Sequence, residues 1–109
     1  VTPEGKVKAE VKKILTTYGA YWFCPVQNGM GAPGLDFHCC YRGVAFFIET
    51  KAPGKRPTPR QQHTIKQMEA AGGKCFVIDG QDRDPQPGVL PEVEGYAGLI
   101  DFLQQLSIG

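Results

Sequence analysis

The chain has 109 residues, 41% of them hydrophobic and 10% aromatic, with 12 Lys and Arg against 11 Asp and Glu. That length supports one hydrophobic core but not two, and the apolar and aromatic content argues against disorder. No uninterrupted apolar run reaches the ~18 residues of a membrane span, and the opening Val1-Thr2-Pro3-Glu4-Gly5-Lys6 lacks the apolar middle of a secretory signal.

Pro3 suits a first helical turn, and Glu4, Val7, Val11, Ile14, Leu15 and Tyr18 follow at helical spacing until Gly19 stops the pattern. Lys6, Lys8, Lys12 and Lys13 fall on or beside the opposite face. A strand-like run at 21–24 ends at Pro25, and residues 27–34 form a glycine-rich loop. Strand candidates follow at 35–41 and, after a turn at Arg42-Gly43, at 44–51. The apolar run Val44-Ala45-Phe46-Phe47-Ile48 is what a central strand covered on both faces shows. After a Pro/Gly-rich basic loop at 52–59, a second helix is expected from about Pro59 to Ala71, stopped by Gly72-Gly73. Lys74 to Asp79 reads as a fourth strand, 80–95 as a polar surface excursion, and Tyr96 to Leu106 as a last helix. The order αβββαβ plus a C-terminal helix predicts one α/β domain over residues 1–109, a mixed central sheet flanked by helices.

The four cysteines, Cys24, Cys39, Cys40 and Cys75, contain no CxxC pair. Reduced thiols of a cytoplasmic domain are expected, with Cys39 and Cys40 as buried structural residues, and neither a zinc site nor a disulfide framework. The small net charge hides a segregation: residues 1–75 carry eleven Lys/Arg and five Asp/Glu, whereas 76–109 carry one Arg and six acids. A basic face for an anionic polymer beside a non-contacting acidic end fits that asymmetry, as does plain solvated charge.

The chemistry points to the end of the third strand. Glu49-Thr50-Lys51 closes a buried apolar run, and period 2 puts Glu49 and Lys51 on one face with Thr50 turned away. Unpaired buried charge is costly, so the pair needs partners or a function. If the 35–41 and 44–51 strands form a hairpin about Arg42-Gly43, Asp36 falls opposite position 49, with Cβ atoms about 4.5–5.5 Å apart. Two carboxylates so close repel unless a cation lies between them, and a small set of hard oxygen donors suits Mg²⁺ or Mn²⁺ better than zinc.

Gly34-Leu35-Asp36, the spacing to Glu49-Thr50-Lys51 and the element order resemble the PD-(D/E)xK nuclease superfamily, whose core is restriction-endonuclease-like. More narrowly, residues 3–79 look like a standalone VRR-NUC domain of the bacteriophage type. The narrower match adds the run 51–55, Thr58-Pro59-Arg60-Gln61 and Ala70-Ala71-Gly72-Gly73. One departure is Leu35, where the family usually has proline before its first aspartate.

The resemblance implies that Asp36 and Glu49 are metal ligands, with the Thr50 backbone carbonyl a third. It further implies that Lys51 positions the attacking water or stabilises the transition state, that Gln61 supports the site, and that Glu4 is the first-helix acid. Geometry agrees on the last: Glu4 lies about 36° from the centre of the apolar face and Glu10 about 84°, at ~100° per residue. Glu10 stays as the alternative. The expected activity is Mg²⁺- or Mn²⁺-dependent hydrolysis of DNA phosphodiesters by a homodimer preferring junction or other branched DNA, in a bacterial or phage-infected cell. A non-catalytic nucleic-acid-binding module of the same fold and an RNA-directed nuclease are the rivals.

Lys55, Arg56, Arg60 and Lys66 are candidate contacts to DNA phosphates. Gly54-Lys55 is not part of a nucleotide-binding P-loop, because Arg56 follows and no glycine occupies position 49. His63 is expected in solvent, His38 either near the site or in the core, and Gln27 and Asn28 in a loop turn. The apolar last helix serves either the core or a dimer interface.

Overall fold

The computed structural model describes residues 1–26, 34–84, 86 and 88–108. Most of the glycine-rich loop, including Gln27, Asn28 and Pro33, lies outside the described residues.

Helix α1 spans Pro3–Tyr18. It starts where expected because the Thr2 hydroxyl accepts the Gly5 N–H at 2.9 Å and Pro3 needs no amide partner. It stops at Gly19, whose φ of 76° is left-handed and lets its N–H return to the last turn. Strand β1 (Tyr21–Phe23) pairs antiparallel with β2 (Phe37–Tyr41), which pairs antiparallel with β3 (Val44–Thr50). The β2–β3 hairpin turns on Arg42 and Gly43, both at positive φ, 51° and 82°, as a two-residue turn matched to strand twist requires. Its register sets Phe37 opposite Ile48 and Tyr41 opposite Val44, so Asp36 stands one step beyond the last pair, abreast of Glu49.

Helix α2 (Pro59–Ala70) begins with a reciprocal cap in which Thr58 and Gln61 satisfy each other's backbone N–H. Strand β4 (Lys74–Ile78) then returns parallel to β3, making β3 the middle of the order β1-β2-β3-β4-β5, in which β5 is Val93–Glu94. Strand β5 (Val93–Glu94), parallel to β4, corrects the expectation that 80–95 is wholly a surface excursion. Two residues carry no periodicity to read. Their place is fixed by Arg83 donating to the Val93 carbonyl at 2.6 Å and the Asp79 N–H donating to the Glu94 carbonyl at 3.0 Å.

Helix α3 (Ala97–Ile108) and α1 cover one face of the sheet. Val7, Val11, Leu15, Leu99 and Leu103 pack there on Phe37, Phe46, Ile48, Phe76 and Ile78. Burying each of these side chains is worth about 1.5–3 kcal/mol. Of the two roles open to the apolar face of α3, Leu99 and Leu103 take the core one. Helix α2 covers the other face, where Ile65 and Met68 meet Leu35, Phe47, Val77 and Val93. The result is a mixed sheet with helices on both faces. No helix among the described residues is long and apolar enough to cross a membrane.

Candidate active site

Four segments meet at the carboxyl end of β3: the strand end itself, the bend before β2, the first turn of α2 and the first turns of α1. Glu49 is the most enclosed member, 3% exposed although it is an acid. Its Oε2 accepts from Gln61 Nε2 at 3.0 Å and lies 3.6 Å from Lys51 Nζ. The cap orients the glutamine. Gln61 Oε1 accepts the Thr58 N–H at 3.0 Å, so the amide nitrogen is the end left to face Glu49. Burial first, and then the charge of Asp36, push the Glu49 carboxyl up to about 7, against the pull of Lys51 and of the Asp36 N–H; Glu4 adds a smaller repulsion. The two carboxylates are thus electrostatic neighbours, as the hairpin register requires.

Asp36 sits in the bend before β2 rather than inside a strand starting at 35, and that shift decides what its carboxylate does. Its Oδ2 accepts both the Thr50 N–H at 2.9 Å and the Thr50 hydroxyl at 2.7 Å, replacing the strand partner that β2 no longer offers. Thr50 does turn away from Glu49 and Lys51, yet it is no bystander, because it locks the neighbouring acid. The end of an antiparallel partner strand is the signal that could have found this bond.

Glu4 reaches the cluster from α1: its charge is felt at Glu49, and its Oε2 is 3.6 Å from Lys8 Nζ. Glu10 instead acts on Tyr96, which precedes α3. Lys8, read from the sequence as on or beside the face opposite the apolar one, lies 3.7 Å from Asp36 Oδ1 and belongs to the site. Its i,i+4 spacing from Glu4 is the signal that a helical projection of apolar residues overlooked. Among the described residues, no three His, Cys, Asp or Glu side chains stand close enough together to hold a metal ion. Asp36 and Glu49 are brought together, and Lys8 contacts both Glu4 and Asp36.

The remaining candidates divide. Lys55, Arg60, His63 and Lys66 are exposed. Arg56 is exposed too, but it donates to the Pro91 carbonyl at 2.8 Å and so ties down the approach to β5. His38 packs edge-on between Phe23 and Phe47, ring centroids 5.5 and 5.2 Å away, with its pKa lowered by burial. It belongs to the aromatic layer of the sheet. Cys39 is buried, its thiol pushed up to about 12 chiefly by burial, whereas Cys40 is exposed, which corrects the expectation of two buried thiols. The alternation of β2 puts adjacent residues on opposite faces.

A buried acid the sequence reading passed over, Asp79, closes β4. It accepts the N–H groups of Gly54 and Gln81 and a two-pronged contact from Arg83, at 3.3 and 2.7 Å. These bonds fix the start of the basic loop against the end of β4.

No protein-family model matches the sequence. Over 51 residues, 47% of its length, the chain is 39% identical to "Putative nuclease p44" of Acyrthosiphon pisum secondary endosymbiont phage 1, and it spans about half (52%) of that relative. Among solved structures, one described as a VRR_NUC domain superposes with a TM-score of 0.66 over 96% of this chain and 97% of its own, at 20% identity. The architecture is therefore that of a VRR_NUC domain, and the resemblance drawn from Gly34-Leu35-Asp36 and Glu49-Thr50-Lys51 is borne out at the level of fold.

Proposed function

We propose that this chain, which has the VRR_NUC fold, is a nuclease that hydrolyses DNA phosphodiester bonds with Mg²⁺ or Mn²⁺. The observation that carries the reading is the pairing of two carboxylates, Asp36 and the nearly buried Glu49, beside Lys51 at the end of the central strand. The phage relative named as a nuclease adds support over the half of its length that aligns.

The residues fit a hard divalent cation. Three carboxylates (Glu4, Asp36 and Glu49) against two ammonium groups (Lys8 and Lys51) leave the cluster one negative charge. Burial raises the Glu49 pKa first, and the neighbouring charge of Asp36 adds to it. Asp36 and Glu49 would hold the ion, with Glu4 and the Thr50 backbone carbonyl as the donors available to complete the set and water filling the rest, as Mg²⁺ prefers. When bound, a divalent ion there polarises the scissile phosphate and lowers the pKa of a water.

The protein's own groups do the placing. Thr50 fixes Asp36 through two hydrogen bonds, and Gln61, held by its cap, fixes Glu49. Lys51 is 13% exposed at its side chain and lies 3.6 Å from Glu49, where its ammonium can orient a water and meet charge developing on a phosphate oxygen. Lys55, Arg60 and Lys66 are exposed cations that would contact phosphates away from the reacting bond. From the family resemblance carried by Asp36 and Glu49-Thr50-Lys51, we further infer action as a homodimer on branched or junction DNA.

Cleavage of end-labelled single-stranded, duplex, flap and four-way-junction DNA, and of matched RNA, in Mg²⁺, Mn²⁺ or EDTA tests this reading. Metal-dependent cutting of DNA, strongest on the branched forms, is the expected result. Tight, metal-independent binding without cutting would replace the enzyme by a binding module, and preferential cutting of RNA would replace the substrate.

A further inference from the structure

Lys8 makes a contact that helix geometry alone does not require. An i,i+4 pair with Glu4 is an ordinary feature of a helix surface. The second contact, 3.7 Å from Nζ to Asp36 Oδ1, joins α1 to a different segment and to the acid at the centre of the site. The other oxygen of that acid, Oδ2, is already engaged twice by Thr50. Lys8 thus stands at the outward oxygen of Asp36 while keeping Glu4 at 3.6 Å, and no three acidic side chains close up among the described residues.

The two site lysines are built differently. The Lys51 side chain is 13% exposed and faces a carboxylate that is 4% exposed, so its position is fixed. The Lys8 side chain is 38% exposed, on a flexible four-carbon stem that can carry its head into water.

We propose that Lys8 is a positioning residue, the internal counter-ion of the metal-free site: its ammonium occupies the side of Asp36 that a divalent cation must take, and metal entry displaces it. This rests on the metal-dependent reading above and deepens it. Two consequences follow from charge alone. A positive charge at Asp36 Oδ1 lowers the affinity of the site for a second positive charge, and its departure leaves Asp36 Oδ1 open to the ion and releases Glu4.

The test is Mn²⁺ binding to the full chain without DNA, followed through the electron paramagnetic resonance signal of free Mn²⁺, for wild type, Lys8→Met, Lys8→Arg and Glu49→Gln. Lys8→Met should bind Mn²⁺ about threefold to fivefold more tightly, the scale of one partly exposed ion pair. Lys8→Arg, which keeps the charge, should stay near wild type, and Glu49→Gln should lose about tenfold or more. A purely structural lysine would not produce tighter binding that the arginine variant cancels. If wild type binds and Glu49→Gln does not, but Lys8→Met binds equally or more weakly, the counter-ion role is overturned while the metal site stands. If wild type and Glu49→Gln bind alike, or neither binds, the metal reading fails and this proposal fails with it. Melting curves in EDTA, expected to be similar for wild type and both Lys8 variants, show that the comparison is between folded proteins.

Discussion

Glu49→Gln in metal-free protein should reverse the usual effect of damaging a site, by stabilising the fold at alkaline pH. The folded chain holds the Glu49 carboxyl up at about 7, against an ordinary value of 4.5. The folded state therefore binds the Glu49 proton more tightly than the unfolded state does. Stability from that proton is fully present below 4.5, declines as pH rises, and is gone above about 7. At about 1.4 kcal/mol per pH unit, the interval corresponds to about 3 kcal/mol. The side chain is 4% exposed, so solvent screening takes little from this figure.

Glutamine keeps the shape and cannot ionise. Urea unfolding in EDTA from pH 4.5 to 8.5 should show the variant gaining on wild type by about 3 kcal/mol across that range, on top of a constant offset for the altered contacts to Lys51 and Gln61. Adding Mn²⁺ at pH 8 should raise the stability of wild type and leave the variant nearly unmoved. Parallel pH profiles would refute the reasoning, because they would mean that Glu49 is not held in a burial- and charge-stressed state.

Thr50→Val removes the 2.7 Å hydroxyl bond to Asp36 while keeping the shape of a fully buried side chain. It should cost about 1–2 kcal/mol in urea unfolding and weaken Mn²⁺ binding measurably. Arg83→Ala leaves the fully buried Asp79 without its guanidinium and β5 without its tie to Val93, so the melting temperature should fall. Burial works to raise the Asp79 pKa, but bonds from Arg83, Gly54 and Gln81 hold it below the usual range. Its contribution to stability is thus present above the unfolded value of 3.8 and lost as pH falls through the folded one. In Arg83→Ala the acid limb of the stability curve should begin at higher pH. Replacing Lys55, Arg60 or Lys66 by alanine should weaken DNA binding about equally across sequences and reduce the salt slope by about 1 each. An unchanged slope in filter binding across a salt series would remove that residue from the interface.

The hairpin was legible because its determinants are local: a strand-like run before Arg42, the continuous apolar run 44–48 after Gly43, and a turn whose second residue is Gly43. From that register alone Asp36 falls beside Glu49. The faces of α1 and α3 were legible from helical spacing, although spacing could not say that α3 would bury Leu99 and Leu103 against the sheet rather than against a second chain. What stayed hidden depends on contacts between distant segments. The two residues of β5 are tied in by Arg83 and the Asp79 N–H, which donate to the Val93 and Glu94 carbonyls. Arg56 looks like any basic loop residue until Pro91 arrives beside it. Lys8 flanks the apolar face on a helical projection, about 76° from its centre at ~100° per residue, and only the length of its stem and the approach of Asp36 bring it into the site. Thr50 shows the same limit from the other side: alternation gives its direction correctly, but not that Asp36 would bend back to meet it.

The central claim is that Lys51, held beside Glu49, acts in bond cleavage and not in holding the fold or the metal. Single-turnover cleavage of a labelled junction by wild type and Lys51→Ala, with Mn²⁺ saturating both, tests it most directly. The expected result is a rate lowered by about 100-fold or more in the variant, with Mn²⁺ binding and melting temperature close to wild type. Equal rates, or a loss of rate fully explained by lost metal binding or lost folding, would contradict it.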